Sequence, residues 1–403
     1  MKLSKRSVRV VAMLVVGALL VGGFVTGLAA PAEAQGKNPI RIGGAVSLTG
    51  KYGRTGEYQL EGYKLWVKQV NERGGLLGRP VELVVYDDKS DPATSRKLYE
   101  KLLTLDKVDL CMAPYSSAVT FAVAPVTDKY RCPILAAGAA SIKIWKQGHR
   151  YIFMMASAAK VYLEGAIVMA AERGLKTAAM VAEDSLFPKS SAKGAKDLLK
   201  KHGIKLLLYE EYPKGKTDFS TLLQKIKALK PDLILGNTYF PDAVILARQM
   251  KEFDLNPKMF AATVGAAMPD YYKSLGKTAE YIYGPTQWDE SLKTPGNQEF
   301  FEDYIALHNR PPDYHSAAGY SSGVMVEEAV KRAGSIDRDK VRDQLAKLEI
   351  STVWGDYRVD QNGIQVGHKM VFLQWQDGKA QVVWPTELAT AEPRFPTPPW
   401  DKR

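Results

Sequence analysis

Residues 40–56 decide the fold, and they read IRIGGAVSLTGKYGRTG. Residues 40–46 form a short apolar run that predicts a buried strand, and residues 48–56 form a glycine-rich loop. From Glu57 to about Arg73 the sequence predicts an amphipathic helix, which ends at Gly74-Gly75 as helix C-termini commonly do. A buried strand, a glycine-rich turn and a helix together form the repeating unit of α/β proteins.

The same unit recurs along the chain in two runs. The first run continues with predicted strands at 81–86, 108–113 and 133–137, and with helices at 91–105 and 116–130. The second run has predicted strands at 177–182, 204–209, 232–235, 258–262 and 281–284, and helices at 190–201, 218–229 and 241–252. This alternation predicts two Rossmann-like lobes, each with a parallel-stranded central sheet that is covered by helices on both faces.

The last part of the chain mixes both kinds of element. Helices are predicted at 295–307, 317–333 and 338–348, and strands at 357–359, 369–375 and 381–384. Hairpin turns are predicted at Gln361-Asn362-Gly363 and Asp377-Gly378, because Asn-Gly and Asp-Gly favour such turns. Residues 386–403 form a proline-rich tail that is predicted to extend over the surface.

Residues 1–34 predict a cleaved secretory signal peptide. A basic start that ends at Arg9 precedes an apolar run at 10–28, and Ala32-Glu33-Ala34 provides small residues two positions apart. The apolar run is about long enough to span a membrane, so a membrane anchor is the alternative. The Ala-x-Ala site favours cleavage and therefore an exported protein.

The composition is that of a globular protein, with 46% hydrophobic and 25% charged residues. The formal net charge is +11, which raises the question of a nucleic-acid partner. The lysines between residues 193 and 205 are spaced one or two helical turns apart, which predicts a solvated helix face. No basic run interleaved with aromatic residues occurs, so we expect no nucleic-acid binding.

The five histidines and two cysteines show no metal-binding spacing, because no His-x-x-x-His or Cys-x-x-Cys pair occurs. The sequence therefore predicts no metal site. Cys111 lies in a predicted strand and Cys132 lies at the start of the next, so the two could be neighbours. An exported compartment permits a disulfide, but sequence spacing leaves the pairing open.

The motifs that mark common enzymes are missing from the sequence. Neither G-x-G-x-x-G nor a G-x-S-x-G nucleophile elbow occurs at a strand-to-helix turn, and no P-loop is found. Asp87 and Asp88 are adjacent at a strand end and point in opposite directions, which does not suit paired acid–base chemistry. We therefore predict a protein that is not an enzyme and carries no cofactor.

Two strand-to-helix turns in the first lobe favour a binding site. Tyr115-Ser116-Ser117 follows the third predicted strand, and residues 137–141 follow the fourth. Both turns lie at the carboxyl ends of parallel strands, where open α/β sheets bind ligands. The helix N-terminus offers free N–H groups and partial positive charge, so the sequence predicts a site for a carboxylate.

Several short motifs occur in an order that is specific, although each alone is weak. They are residues 40–43 with Leu48-Thr49-Gly50 and Tyr52-Gly53, residues 74–78, Tyr86-Asp87-Asp88 with Asp91-Pro92, Ser116-Ser117, residues 236–241 and Gly319-Tyr320. Together they resemble the Leu/Ile/Val-binding family of periplasmic solute-binding proteins over nearly all of residues 38–385. The resemblance implies the type I periplasmic binding fold, with two lobes, three hinge crossings and a ligand cleft between the lobes.

The resemblance also implies what the chain does and how it divides. It implies a periplasmic monomer that binds a small carboxylate of the branched-chain or hydrophobic amino acid class. The ligand is bound by hinge closure and is delivered to the membrane permease of an ABC importer. The alternative on the same fold is a sensory protein that reports its ligand to a regulatory partner. Lobe 1 is predicted at 38–157 and 289–347, and lobe 2 at 158–288 and 350–385.

Five site residues are implied by matching positions of the family. Ser116 and Ser141 match the hydroxyl groups that hold the ligand carboxylate, and Ala139 matches a backbone contact beside them. Tyr52 and Tyr239 match aromatic positions that line the cleft from opposite lobes.

Two positions depart from the family pattern. Phe187 stands where relatives often carry tyrosine, and Val264 stands where amino-acid binders carry the glutamate that pairs with the ligand ammonium. Because a buried ammonium without a partner is costly, either a nearby acid such as Asp184 or Asp242 compensates, or the ligand lacks the amino cation. In the second case we expect a hydrophobic or aromatic carboxylate that is contacted by the rings of Tyr52, Tyr115, Phe187 and Tyr239.

Overall fold

A computed structural model describes residues 38–403, so the predicted signal peptide lies outside the described residues. Among residues 38–403, no helix combines the length and the apolar character needed to cross a lipid bilayer. The first part of the chain contains strands β1 (Ile40–Val46), β2 (Val81–Asp87), β3 (Leu110–Cys111), β4 (Ile134–Ala136) and β5 (Ile152–Met154), and helices α1 (Gly53–Glu72), α2 (Pro92–Thr104) and α3 (Ser117–Lys129).

The remaining elements follow in two groups. The middle part contains α4 (Glu164–Glu172), β6 (Thr177–Glu183), α5 (Leu186–Lys201), β7 (Lys205–Tyr212), α6 (Ser220–Leu229), β8 (Leu233–Asn237), α7 (Phe240–Glu252), β9 (Met259–Ala262), α8 (Pro269–Leu275) and β10 (Tyr283–Thr286). The last part contains α9 (Asn297–His308), α10 (Tyr314–Ala333), α11 (Arg338–Leu345), β11 (Ile350–Thr352), β12 (Gly355–Tyr357), β13 (Val371–Gln376) and β14 (Lys379–Trp384).

Two separate parallel arrangements of strands confirm the predicted α/β fold class. In the first, β1 lies between β2 and β3, and β4 pairs in parallel with β5. In the second, seven strands have the order β14-β13-β10-β9-β8-β6-β7. The five strands from β10 to β7 are parallel, whereas β13 and β14 add an antiparallel edge through the hairpin at Asp377-Gly378. We call the elements around the first arrangement the first lobe, and those around the seven-stranded sheet the second lobe.

Helices cover both faces of the seven-stranded sheet, as its alternating burial shows. Ala179, Val181 and Ile234 belong to one buried cluster, which also contains residues of α6 and α7. Their neighbours in sequence, such as Met180 and Leu235, belong to a second cluster with residues of α4 and α5. Because successive strand residues point to opposite faces, the two clusters are the two sides of one sheet.

The last third of the chain returns to the first lobe before it completes the second. Helices α9 to α11 and the β11–β12 hairpin contribute to the same core as β1 and β3. Trp354 and Tyr357 are buried in this same cluster. After β10, the next strand that joins the seven-stranded sheet is β13. The predicted lobe boundaries stay predictions.

Two smaller expectations concern the cysteines and the tail. Cys111 and Cys132 are both buried, and their Sγ atoms lie 2.9 Å apart as free thiols. The proline-rich tail runs along the second lobe, where the Thr397 N–H donates to the Lys258 carbonyl at 3.0 Å and the Trp400 indole donates to the Leu255 carbonyl at 3.2 Å. Short 3₁₀ turns interrupt it at Thr386–Leu388 and Trp400–Lys402.

Candidate functional site

The two turns that follow β3 and β4 lie side by side, as the sequence predicts. Tyr115 and Gly138 form a parallel bridge, and the Ser116 N–H donates to the Gly138 carbonyl at 3.2 Å. Ser117 ties the turns together, because its Oγ accepts from the N–H groups of Ala140 and Ser141 at 3.1 Å each. The sequence reading placed Ser117 in this turn without finding its role as the link between the two turns.

Ser116 forms the N-cap of α3 in an unusual backbone conformation. Its Oγ accepts from the Val119 N–H at 3.4 Å, and its φ is +77° although the residue is not glycine. Buried non-glycine residues with positive φ are strained and cluster at binding sites and other functional positions. The conformation sets the start of α3, whose N-terminus carries a partial positive charge.

We expect Ser116→Ala and Ser116→Gly to differ in their effects on stability. Alanine removes the capping oxygen and keeps the positive φ, so it should lower the free energy of unfolding by about 1 kcal/mol. Glycine also loses the cap, but it adopts positive φ without strain, so its net cost should stay within about 0.5 kcal/mol. Urea unfolding of the two ligand-free variants measures this difference. Equal destabilisation by both would show that backbone strain at Ser116 is negligible.

Ser141 connects the first lobe to the second. Its Oγ lies 2.6 Å from the Ser190 Oγ in α5, and the Ser190 hydroxyl itself donates to the Leu186 carbonyl at 2.7 Å. Because the Ser190 proton is used in that bond, Ser141 donates its own proton across the cleft. In this arrangement the Ser141 hydroxyl binds the opposite lobe, so its predicted contact with a ligand carboxylate stays a prediction.

Aromatic rings from both lobes meet in the cleft. The Tyr52 ring centroid lies 5.6 Å from that of Tyr115 and 4.7 Å from that of Tyr239. Phe187 lies 5.7 Å from Tyr239 and 4.9 Å from Tyr162. Tyr52 is 2% exposed, and burial raises the pKa of its hydroxyl to about 12, although hydrogen bonds with Tyr239 and Ser116 oppose the change. The rings therefore form a continuous apolar cluster across the two lobes.

A small cavity of about 20 Å³ lies inside this cluster. Four predicted site residues line it, namely Tyr115, Phe187, Tyr239 and Val264. The other four, Tyr52, Ser116, Ala139 and Ser141, are buried next to it without lining it. The remaining lining residues include Ala137, Gly138 and Ala140, which belong to the predicted binding turn at 137–141. Sequence reasoning missed the other four, which are Tyr162, Gln287, Tyr314 and His315.

Lys51 crosses the cleft and inserts between two acids of the second lobe. Its Nζ lies 2.7 and 2.9 Å from the two carboxylate oxygens of Asp242, and it also contacts the carboxylate of Glu183. The side chains of Lys51, Glu183 and Asp242 are 9%, 0% and 2% exposed. Burial lowers the pKa of Lys51, and the nearby Asp242 carboxylate opposes that change. The sequence reading did not consider Lys51 as a partner of these acids.

A second polar contact joins the lobes farther along α1. Arg54 binds Asp270 of α8 at 2.8 Å between Nη2 and Oδ1, and the Tyr58 hydroxyl donates to Asp270 Oδ2 at 2.7 Å. The Lys214 ammonium also donates to the Ser90 carbonyl at 3.3 Å. These contacts join the two lobes at two further places beside the aromatic cluster and Lys51.

Two hydrogen-bonded groups of the cavity wall lie outside the predicted site. His315, at the start of α10, binds the N-cap residue Asp313 through Nδ1 at 2.8 Å and the Tyr115 hydroxyl through Nε2 at 3.1 Å. Gln287 binds the Ser157 N–H and the Tyr162 hydroxyl. An acid at an N-cap, followed two residues later by histidine, is the sequence signal that could have indicated the first group. Within residues 38–403, no cluster of three His, Cys, Asp or Glu side chains is arranged to hold a metal ion.

Comparison with known proteins agrees with this geometry. Residues 39–380 match the family model described as periplasmic binding protein. The chain belongs to the periplasmic binding protein family. Leu/Ile/Val-binding protein homolog 7 of Brucella suis biovar 1 (strain 1330) is 27% identical over 399 residues, which covers 94% of this chain and 98% of the relative.

Solved structures of periplasmic binding proteins share the fold. The branched-chain amino acid transporter substrate binding protein LivJ from Streptococcus pneumoniae, in complex with isoleucine, has a TM-score of 0.80 at 23% identity and covers 86% of this chain and 100% of its own. A solute binding protein of an ABC transporter from R. palustris, in complex with benzoate, has a TM-score of 0.78 at 19% identity and covers 86% of this chain and 96% of its own. At these identities the likeness shows the type I periplasmic binding fold that the sequence motifs predict.

Proposed function

We propose that this chain is the exported solute-binding component of an ABC importer, and that its ligand is a hydrophobic or aromatic carboxylate without an amino cation. The chain binds and releases this ligand unchanged and passes it to a membrane permease. The observation that carries the proposal is the pairing of Lys51 with both acids of the cleft, Glu183 and Asp242. The ammonium of Lys51 already pairs with the two carboxylates that a ligand ammonium would need as partners.

The acids near the cleft support the absence of an amino cation from the ligand. Val264 lines the cavity and accepts no hydrogen bond through its side chain. Asp184, the first candidate for compensation, is 58% exposed and binds Lys189 at 2.7 Å, so it faces solvent. Asp242, the second candidate, is neutralised by Lys51 and also accepts from the Tyr212 hydroxyl at 3.4 Å. An ammonium enclosed here would lose its hydration without gaining a free carboxylate.

The first-lobe turns support a carboxylate at the other end of the ligand. Helix α3 begins beside the aromatic cluster, and the N-terminus of a helix favours negative charge through its N–H groups and dipole. Ser116 lies at this N-terminus, and Ala139 lies in the adjacent turn. The cavity wall beyond is formed mainly by aromatic and small apolar side chains, which suit the hydrophobic body of such a ligand.

Binding requires the lobes to separate and close. A cavity of about 20 Å³ holds roughly one water molecule, so an aromatic acid fits only when the lobes stand farther apart. We infer a hinge motion of the kind known for periplasmic binding proteins as a class. The ligand stabilises the closed form only through contacts made there, which Phe187, Tyr239 and Val264 supply from the second lobe.

A branched-chain amino acid is the second candidate ligand. The relatives named Leu/Ile/Val-binding protein homologs and the isoleucine complex favour it. Proteins of the same fold are also described in complex with benzoate and with 3,4-dihydroxy benzoic acid, so the fold admits both classes. The charge pattern of this cleft supports the carboxylate without an ammonium.

A thermal-shift panel tests the proposal on purified protein that has been unfolded and refolded to remove bound ligand. We expect benzoate and related aromatic acids to raise the unfolding temperature, because a ligand at one hundred times its Kd stabilises the folded state by about 2.7 kcal/mol. Leucine, isoleucine and valine at the same concentration should leave it unchanged. Strong stabilisation by the branched-chain amino acids without an effect of the aromatic acids would reject the proposed ligand class.

A further inference from the structure

Two hydroxyl groups of the cavity wall have their hydrogen-bonding directions fixed by neighbours. Asp313 Oδ1 accepts from the N–H groups of His315 and Ser316 at 2.9 and 3.1 Å, and its Oδ2 faces His315 Nδ1 at 2.8 Å. Because the carboxylate accepts, Nδ1 carries the imidazole proton. We assign His315 as the tautomer with its single proton on Nδ1, in which Nε2 accepts the Tyr115 O–H at 3.1 Å. The Tyr115 hydroxyl oxygen can therefore still accept a hydrogen bond.

The second hydroxyl group, that of Tyr162, is left as a hydrogen-bond donor instead. Gln287 Oε1 accepts from the Ser157 N–H at 2.7 Å, so the amide nitrogen of Gln287 faces Tyr162 and donates to its hydroxyl oxygen. Among the hydrogen bonds within residues 38–403, the Tyr162 proton has no acceptor. Gln287 and Tyr162 are 1% and 5% exposed, so bulk water does not supply one freely. Tyr162 therefore presents a donor.

Both hydroxyl-bearing residues line the same cavity of about 20 Å³. A group that satisfies them must donate one hydrogen bond to Tyr115 and accept one from Tyr162. A ligand hydroxyl does both from a single atom, as a water molecule does in its absence, whereas a methyl group does neither and an ammonium only donates.

We infer that the ligand is a hydroxy-substituted aromatic carboxylate, and that Tyr115 and Tyr162 read its ring hydroxyl. This inference rests on the proposed function, because it adds a polar group to the same carboxylate ligand. His315 and Gln287 are positioning residues that fix the two hydroxyls. A site built around a ligand hydroxyl discriminates strongly against the analogue that lacks it, because the buried polar groups of the site are then left unpaired.

Calorimetric titration with benzoate and with 2-, 3- and 4-hydroxybenzoate tests the inference. In the wild-type protein, at least one hydroxybenzoate should bind more than tenfold more tightly than benzoate. In Tyr115→Phe and in Tyr162→Phe, this ratio should fall below threefold. Tyr271→Phe is the matched control, because Tyr271 is equally buried and lies in the second-lobe core away from the cavity. Its ratio should equal that of the wild type.

The outcomes separate this inference from the proposed function. Binding of benzoate and all hydroxybenzoates with equal affinity would overturn the inference and leave the proposed function intact. A tenfold preference that survives both tyrosine substitutions would also overturn it, because other residues would then read the hydroxyl. Binding of amino acids without binding of any aromatic acid would overturn the proposed function itself.

Discussion

Lys51→Met should weaken binding of an aromatic carboxylate by roughly 100-fold, or about 3 kcal/mol, as measured by calorimetry. In the closed form the substitution leaves Glu183 and Asp242 buried without a cation, and removal of one partner from a buried ion pair typically costs about 3–5 kcal/mol. Both acids lie in the second lobe and Lys51 lies in the first, so the cost falls on the closed form. The open form exposes the acids to water and is affected less.

The same variant should shift the ligand preference. With the resident cation removed, the acids become available to a ligand ammonium, so the affinity for leucine should rise relative to that for the aromatic acid. Lys189→Met is the matched control, because Lys189 binds the exposed Asp184 and should change affinity by less than about threefold. The triple variant with Lys51→Met, Glu183→Gln and Asp242→Asn should recover part of the lost affinity. Unchanged binding in Lys51→Met would show that the ion pairs do not contribute to closure.

Gly319→Ala should lower the free energy of unfolding by about 3 kcal/mol or prevent folding. Helices α1 and α10 cross so closely that a Cβ at Gly319 would lie 2.1 Å from the Gln59 carbonyl oxygen. The obstacle is backbone, so no side-chain rotation relieves it, and the helices must move apart. A Cβ at Gly62, on the facing helix, would meet the Ser316 carbonyl oxygen at 2.0 Å. Urea unfolding followed by circular dichroism measures the loss.

A glycine in an open position provides the control for this substitution. At Gly367 the nearest atoms to an added Cβ lie at 3.4 Å, which is ordinary van der Waals contact. Gly367→Ala should therefore change stability by no more than about 0.5 kcal/mol. The helix crossing also matters for the site, because α10 begins with Tyr314 and His315 in the cavity wall. A Gly319→Ala protein as stable as the wild type would show that the two helices separate at little cost.

Local signals in the sequence predict most of the first lobe correctly. Helix α1 ends where Gly74 and Gly75 adopt φ of +92° and +78°. The second helix is predicted to begin at residue 91, and Asp91 is its N-cap: the side chain accepts from the Thr94 N–H at 2.7 Å, and α2 begins at Pro92. The position of both turns at the carboxyl ends of parallel strands was also predicted, and the parallel bridge between Tyr115 and Gly138 joins them although β3 and β4 pair with different strands.

Elements without a clear periodic pattern were missed. Helix α4 is buried around most of its circumference, so its apolar residues show no helical period. Strand β5 and the β11–β12 hairpin have only three residues per strand. Helix α10 starts at Tyr314 and not at Ala317, because Asp313 caps it. Because the predicted helix began almost one turn too late, the sequence did not indicate that His315 lies in the cavity wall.

The charge arrangement of the cleft could not be predicted from local patterns. Asp242 is nearby, as the sequence reading suggested, but its partner comes from a loop that is 191 positions away in the chain. Lys51 stands in a glycine-rich loop where a lysine normally faces solvent. Only the approach of the two lobes places it between two buried acids, and that approach is a long-range property of the fold.

The central claim is that this cleft excludes an amino cation, and calorimetric titration of matched ligand pairs tests it most directly. 3-Phenylpropionate and L-phenylalanine differ only in the α-ammonium group, as do 4-methylpentanoate and L-leucine. For the pair whose apolar body fits, we expect the acid without the ammonium to bind at least roughly 100-fold more tightly. Equal or tighter binding of the amino acid would contradict the claim.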